Sequence, residues 1–213
     1  MNSKQEIQKT IYRAVAENGP ESWHVKIPEL KLTTTARRID QVANAAAEAI
    51  CFSTDIEINW HFDISVELAN PYRPKPDSPA AIVCDIDGTL ALHNSRGPFE
   101  FDKVETDDIN TPVYEFLNMY YNSGAQVVLL SGRQEEYRKH TQRWLLKHMV
   151  AYDHLFMRPA GDRRSDDIVK LELFDNHVRK RFKVSHVLDD RDRCVYLWRK
   201  LGLPCWQVAE GNF

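Results

Sequence analysis

The chain has 213 residues, 43% of them hydrophobic and 28% charged, ordinary values for a globular protein that exclude a disordered polyelectrolyte and a membrane-embedded bundle. Its 28 Lys and Arg against 31 Asp and Glu leave a net charge of −3, which gives no global attraction for nucleic acid, so any such binding must rest on local patches. The N-terminus, MNSKQEIQKT, lacks the apolar stretch of a secretory signal and implies a cytoplasmic location; four cysteines (Cys51, Cys84, Cys194, Cys205) without CxxC spacing read as reduced thiols.

Ser3 and Glu6 form a capping-box pattern ahead of Ile7, Ile11 and Val15, and Asn18-Gly19-Pro20 follows, which predicts a first helix ending there. Ile39, Val42, Ala46 and Ile50 predict a second helix over residues 36–51. From Ile56 to Leu68 apolar and polar residues alternate strictly, the pattern of a long strand with one buried face. Residues 1–70 are thus expected to form a small α+β module of helix, helix and strand. Asn70–Pro79, NPYRPKPDSP, holds four prolines and reads as a semi-rigid connector over 71–79.

Residues 80–213 alternate short apolar runs with helical patterns. Strands are predicted at 81–84, 127–130, 154–157, 186–188 and 205–208, with helices near 112–121, 135–149, 166–182 and 193–201. That alternation implies a Rossmann-like, mostly parallel α/β sheet with helices on both faces, and ligands beyond the carboxyl ends of its strands.

Chemistry-bearing residues fall at those ends. Asp85 and Asp87, in Asp85-Ile86-Asp87-Gly88-Thr89, follow the first strand, where one carboxylate can attack phosphorus and the other can pass a proton to the leaving oxygen. Taken alone, the same residues also read as an Asp-Gly turn. Ser131-Gly132-Arg133 closes the second strand with groups suited to a phosphoryl oxygen. Asp166 and Lys170 share a helix face behind Ser165 and can pair there. Asp189-Asp190 closes a later strand, and these acids beside Asp85 would repel unless a hard cation such as Mg²⁺ were held.

In this order the motifs resemble those of the haloacid dehalogenase (HAD) phosphatases, over nearly all of residues 80–213. The resemblance implies Asp85 as the phosphorylated nucleophile, Asp87 as acid then base, Ser131 and Lys170 on the phosphoryl group, and Asp189 and Asp190 completing a Mg²⁺ site with Asp85 and Asp87. Asn94-Ser95-Arg96-Gly97-Pro98, Thr106-Asp107-Asp108-Ile109-Asn110, GDRRSDDIVK and CWQVAEGNF are further similar to one branch, the 3′-phosphatase domain of phage-type polynucleotide kinase-phosphatases. That likeness implies removal of 3′-phosphate, or opening of a 2′,3′-cyclic phosphate, at DNA or RNA ends in repair, with Arg96, Arg133 and Asp166 joining the catalytic set and both arginines gripping phosphate. No GxxxxGK[ST] occurs in these residues, so 5′-kinase activity is not expected of them.

Asp85 and Ser131 are 46 positions apart and Ser131 and Lys170 are 39, intervals that leave only 91–110 as a flap and no enclosing cap. Arg158, Arg163, Arg164, Arg179, Lys180, Arg181, Lys183, Arg191 and Arg193 make a basic set for a phosphodiester strand, and Phe99, Phe101 and Trp198 are candidates for stacking on bases. His93 reads as a solvated loop residue. A phosphatase of a small nucleotide or sugar phosphate, and a non-catalytic nucleic-acid-binding module, are the alternatives. Residues 1–70 are expected to serve homo-oligomerisation, a repair partner or structural support.

Overall fold

The structure, a computed structural model, describes residues 10–54, 62–93, 96–97 and 100–211. The chain divides into two compact units, Met1–Asn70 and Pro71–Phe213. Among the described residues no helix is long and apolar enough to cross a membrane.

Among its described residues the first unit is a four-stranded sheet with one α-helix. Its strands are β1 (Thr10–Asn18), β2 (Trp23–Ile27), β3 (Leu32–Ala36) and β4 (Phe62–Leu68), and its helix is α1 (Val42–Thr54). They lie in the order β3-β2-β1-β4, with β4 parallel to β1 and the other pairs antiparallel. The expected first helix is therefore a strand where it is described; its capping residues Ser3 and Glu6, and Ile7, lie outside the described residues. The buried residues of β1 are Ala14 and Ala16, two apart as a strand requires, whereas Ile11 is 62% exposed. In β2, Trp23, Val25 and Ile27 are buried between exposed His24 and Lys26. The helix α1 starts later than expected, after a 3₁₀ turn at Ile39–Gln41, and buries Val42, Ala46 and Ile50 at the four-residue spacing of one face. Of the long alternating run only 62–68 is described; residues 55–61 lie outside the described set.

Residues 71–79 form no helix or strand, yet they are held to the second unit through Tyr72. Its hydroxyl donates to the Phe182 carbonyl (2.8 Å) and accepts from the Val184 N–H (2.9 Å).

The second unit contains β5 (Ala80–Cys84), β6 (Ala91–Leu92), β7 (Asp108–Ile109), α2 (Thr111–Asn122), β8 (Gln126–Gln134), α3 (Arg138–Lys147), β9 (His154–Arg158), α4 (Asp166–His177), β10 (Lys183–Asp189), α5 (Asp192–Lys200) and β11 (Cys205–Gln207). Five of these strands form a wholly parallel sheet in the order β11-β10-β5-β8-β9. Val113 and Leu117 of α2 and Trp144 and Leu145 of α3 pack with Ile82, Cys84, Val127 and Leu129 on one face. The helices α4 and α5 pack on each other and on β8 to β11 across the other. The strand order reverses between β5 and β10, the position where parallel α/β sheets open a crevice at their carboxyl edge. Over that edge β6 and β7 pair antiparallel, with a 3₁₀ segment, Phe101–Thr106, between them. This ribbon lies within the stretch 91–110 that was expected to form a flap. All four cysteines are free thiols.

Candidate active site

Asp85 is the first residue past β5, and its N–H donates to the Leu188 carbonyl of β10 at 3.0 Å. Adjacent strands thereby deliver Asp85, Asp189 and Asp190 to one spot, where carboxylate oxygens of the three lie within 4.8 Å of one another. The ammonium of Lys170, one turn into α4, stands 3.0 Å from Asp85 Oδ2 and 2.8 Å from Asp189 Oδ2. Trp198 Nε1 donates to the same Asp189 oxygen at 3.0 Å, and Thr89 Oγ1 donates to Asp190 Oδ1 at 2.9 Å. Gly88 makes the turn at φ +80°, and a Cβ there would stand 2.3 Å from Asp190 Oδ2, so both conformation and space call for glycine.

Three buried carboxylates face one buried ammonium. Burial pushes the Asp85 carboxyl well above its usual range, and Asp189 and Asp190 push it further against the opposing pull of Lys170. Asp190 is raised too, by burial and then by Asp189. Burial would lower Lys170, but Asp189 and Asp85 outweigh it and hold the ammonium charged. The excess negative charge and the all-oxygen donor set fit a hard divalent cation such as Mg²⁺.

Asp87 belongs to a different cluster. Its carboxylate accepts from Arg133 Nε (2.8 Å) and Nη2 (2.9 Å), from Arg96 Nη2 (2.6 Å), and meets His93 Nε2 at 2.8 Å. Arg96 and Arg133 also both reach Asp107 Oδ2, at 2.6 and 3.2 Å. The side chains of both arginines and of Asp107 are completely buried. Trp144 Nε1 donates to the Asp107 carbonyl, and Thr141 Oγ1 accepts from Arg133. Two guanidinium forks and two carboxylates thus form a closed network. Burial would raise Asp87, but Arg133, His93 and Arg96 together hold it well below the usual carboxylate range.

Several sequence expectations change here. Arg96 and Arg133 were expected to grip phosphate, but both forks are taken up by carboxylates, because buried guanidinium groups need matching acceptors. The Asp87 carboxylate, expected among the metal ligands, groups with His93 and Asp107, while the carboxylate oxygens that converge within 4.8 Å in the other cluster are those of Asp85, Asp189 and Asp190. His93 is not a free loop residue; it caps Asp87. Asp166 does not pair with Lys170; it accepts from Arg158 and Arg191, and Lys170 turns to Asp85 and Asp189 instead. A Cβ on Gly132 would meet Asp166 Oδ1 at 2.6 Å, so glycine lets β8 approach α4. Ser131 is buried, its Oγ accepting from the Arg133 N–H at 3.1 Å.

The basic set also divides. Arg179 to Arg181 precede β10 and Lys183 opens it, placing them at the amino edge of the sheet, the length of a seven-residue strand and roughly 20 Å from Asp189. Near the carboxyl edge Arg164 is paired with Asp162 and Glu172, which leaves Arg163 exposed on the β9–α4 loop. Trp198 is buried against Asp189 and is no stacking surface; Phe99 lies outside the described residues. Asp107 and Thr89 were not singled out as site residues. Asp107 fell within a stretch noted for its likeness, but its partners are distant in sequence.

Residues 79–213 match the family described as the polynucleotide kinase PNKP phosphatase domain, of HAD type. A protein of Autographa californica nuclear polyhedrosis virus, provisionally named a bifunctional polynucleotide kinase/RNA ligase, is 36% identical over 137 residues, covering 62% of this chain and 20% of the relative. A solved structure of a Pnkp1/Rnl/Hen1 complex matches at a TM-score of 0.65 and 39% identity, over 72% of this chain and 55% of its own. A structure of the Pnkp1/Rnl/Hen1 RNA repair complex matches at 0.65 and 36%, over 82% and 57%. The chain spans a fifth of the viral relative and little more than half of the matched structures.

Proposed function

The chain belongs to the PNKP phosphatase family, a group of HAD-type phosphomonoesterases, and on that premise we propose that it removes 3′-phosphate from nucleic-acid ends, with Mg²⁺, through an aspartyl-phosphate on Asp85. The observation that carries this reading is the Asp85 carboxylate at the carboxyl end of β5, held 3.0 Å from Lys170 Nζ beside two further acids and beneath a flap too short to enclose a metabolite. The RNA repair complex named for one matched structure supports an RNA end as the substrate and a repair assembly as the setting.

In this mechanism Asp85 attacks phosphorus in line with the bond to the leaving 3′ oxygen. Lys170 and the Ser131 hydroxyl hold the non-bridging oxygens, opposing the charge that spreads over them. Asp85, Asp189 and Asp190 would hold Mg²⁺, which when bound supplies positive charge to the phosphoryl group. Asp87 protonates the leaving oxygen, drawing on a proton that a singly ionised phosphate carries in. It then takes a proton from the water that hydrolyses the phosphoenzyme. Arg96, Arg133 and Asp107 position Asp87, and Asp166 positions Arg158 and Arg191. Residues 80–213 are the catalytic domain in this reading; 1–70, joined through 71–79, are a separate module suited to an oligomeric or repair partner.

The test is phosphate release with Mg²⁺ from a 3′-phosphorylated oligonucleotide, compared with a 3′-mononucleotide and a panel of sugar phosphates. The oligonucleotide should be hydrolysed with the highest kcat/KM. A preference for a sugar phosphate would refute the assignment to polynucleotide ends.

A further inference from the structure

The flap sets an aromatic pair beside the carboxylate that handles the leaving group. Phe101 opens the 3₁₀ segment of the flap, and Tyr137 ends the turn between β8 and α3, four residues past Arg133. Their ring centroids are 5.4 Å apart with planes at 50°, and both side chains are only partly buried. The Arg96 guanidinium lies 5.9 Å from the centroid of Phe101, while Arg96 Nη2 is 2.6 Å from Asp87 Oδ1. A single buried side chain therefore separates the rings from Asp87. Phe101 is tied to that network through Arg96 on the Asp87 side of the site, which in the proposed mechanism is the side of the leaving oxygen and its nucleoside.

We propose that Phe101 and Tyr137 form the stacking subsite for the terminal base of a 3′-phosphorylated strand. This deepens the proposed function and rests on it. Every base has a π-face, so such a platform favours a nucleic-acid end over a sugar phosphate without selecting sequence. The tilt between the rings suits a wedge-like contact, in which the base covers one ring face and meets the edge of the other. Arg96, held by the Asp87 and Asp107 carboxylates and the Gly97 carbonyl, backs Phe101 from within and fixes its orientation.

The experiment compares kcat/KM for two 3′-phosphorylated oligonucleotides that differ only in whether the terminal nucleotide carries a base or is abasic. Wild-type protein should prefer the intact end by about tenfold or more. In Phe101→Leu, which keeps apolar bulk without a ring face, and in Tyr137→Ala, that ratio should fall toward one, with Phe101→Tyr restoring it. The ratio is taken within one protein, so partial loss of fold or of overall rate cancels. An unchanged ratio in both Phe101→Leu and Tyr137→Ala, or a wild-type ratio of one, overturns the subsite. Wild-type protein that releases phosphate from sugar phosphates and from neither oligonucleotide instead overturns the polynucleotide reading, and the subsite with it.

Discussion

The guanidinium of Arg133 meets the carboxylate of Asp87 fork to fork, Nε lying 2.8 Å from Oδ2 and Nη2 2.9 Å from Oδ1. A lysine cannot reproduce two parallel donors fixed in one plane. Arg133→Lys should therefore retain a charge and still lower kcat by about a hundredfold, because Asp87 loses its orientation. Reaction of an aryl phosphate with a good leaving group, which needs less protonation, should suffer less in the step that forms the phosphoenzyme. Equal losses for the aryl phosphate and the oligonucleotide in that step would show that Arg133 does not act through Asp87.

Asp107 is the buried acid that completes the same network. Asp107→Asn removes a charge between two arginines that have no exposed surface, and breaking a buried ion pair costs about 3–5 kcal/mol. For a chain of this size that corresponds to a fall in Tm of about 10 °C, together with loss of activity. Calorimetry and a rate measurement on the same sample check both; a wild-type Tm would show that the network contributes little to stability.

How far the site could be read from the sequence depended on whether the informative residues were neighbours. Asp85, Asp87, Asp189 and Asp190 each follow an apolar run that becomes a strand, and strand ends in a parallel sheet converge on one edge. The partners of Asp87 gave no such signal, since His93, Arg96, Asp107 and Arg133 meet through tertiary packing and follow no period. In the first unit, the buried face of β1 consists of Ala14 and Ala16, which carry little hydrophobic contrast, while Ile11 and Val15 sit at a helical spacing and drew the reading toward a helix. In β2 the alternation of Trp23, Val25 and Ile27 was present but only five residues long, too short to weigh against its surroundings.

Metal binding can be read without turnover. A ligand that binds only the folded state raises Tm, the more so the further its concentration exceeds its Kd, so Mg²⁺ should stabilise wild-type protein in a thermal melt. Asp190→Asn should abolish that shift. Gly88→Ala should weaken it, because the added methyl would stand 2.3 Å from Asp190 Oδ2 and the turn adopts a positive φ that alanine disfavours. A Mg²⁺-induced shift of wild-type size in Asp190→Asn would place the ion elsewhere.

The division of the basic residues between the two edges of the sheet makes a contrast in salt dependence. Arg163→Gln, at the carboxyl edge, should reduce the slope of log kcat/KM against log salt for an oligonucleotide by about one. Arg181→Gln, just before the amino end of β10, should leave the slope unchanged. The reverse pattern would mean that the strand crosses the opposite edge.

The central claim is that phosphate passes through the Asp85 carboxylate, and an acyl phosphate can be caught chemically. Protein quenched during turnover of a 3′-phosphorylated oligonucleotide and reduced with borohydride should carry homoserine at position 85, identified by peptide mass spectrometry, and Asp85→Asn should show neither this product nor turnover. Homoserine at another aspartate, or turnover in Asp85→Asn near the wild-type rate, would contradict it.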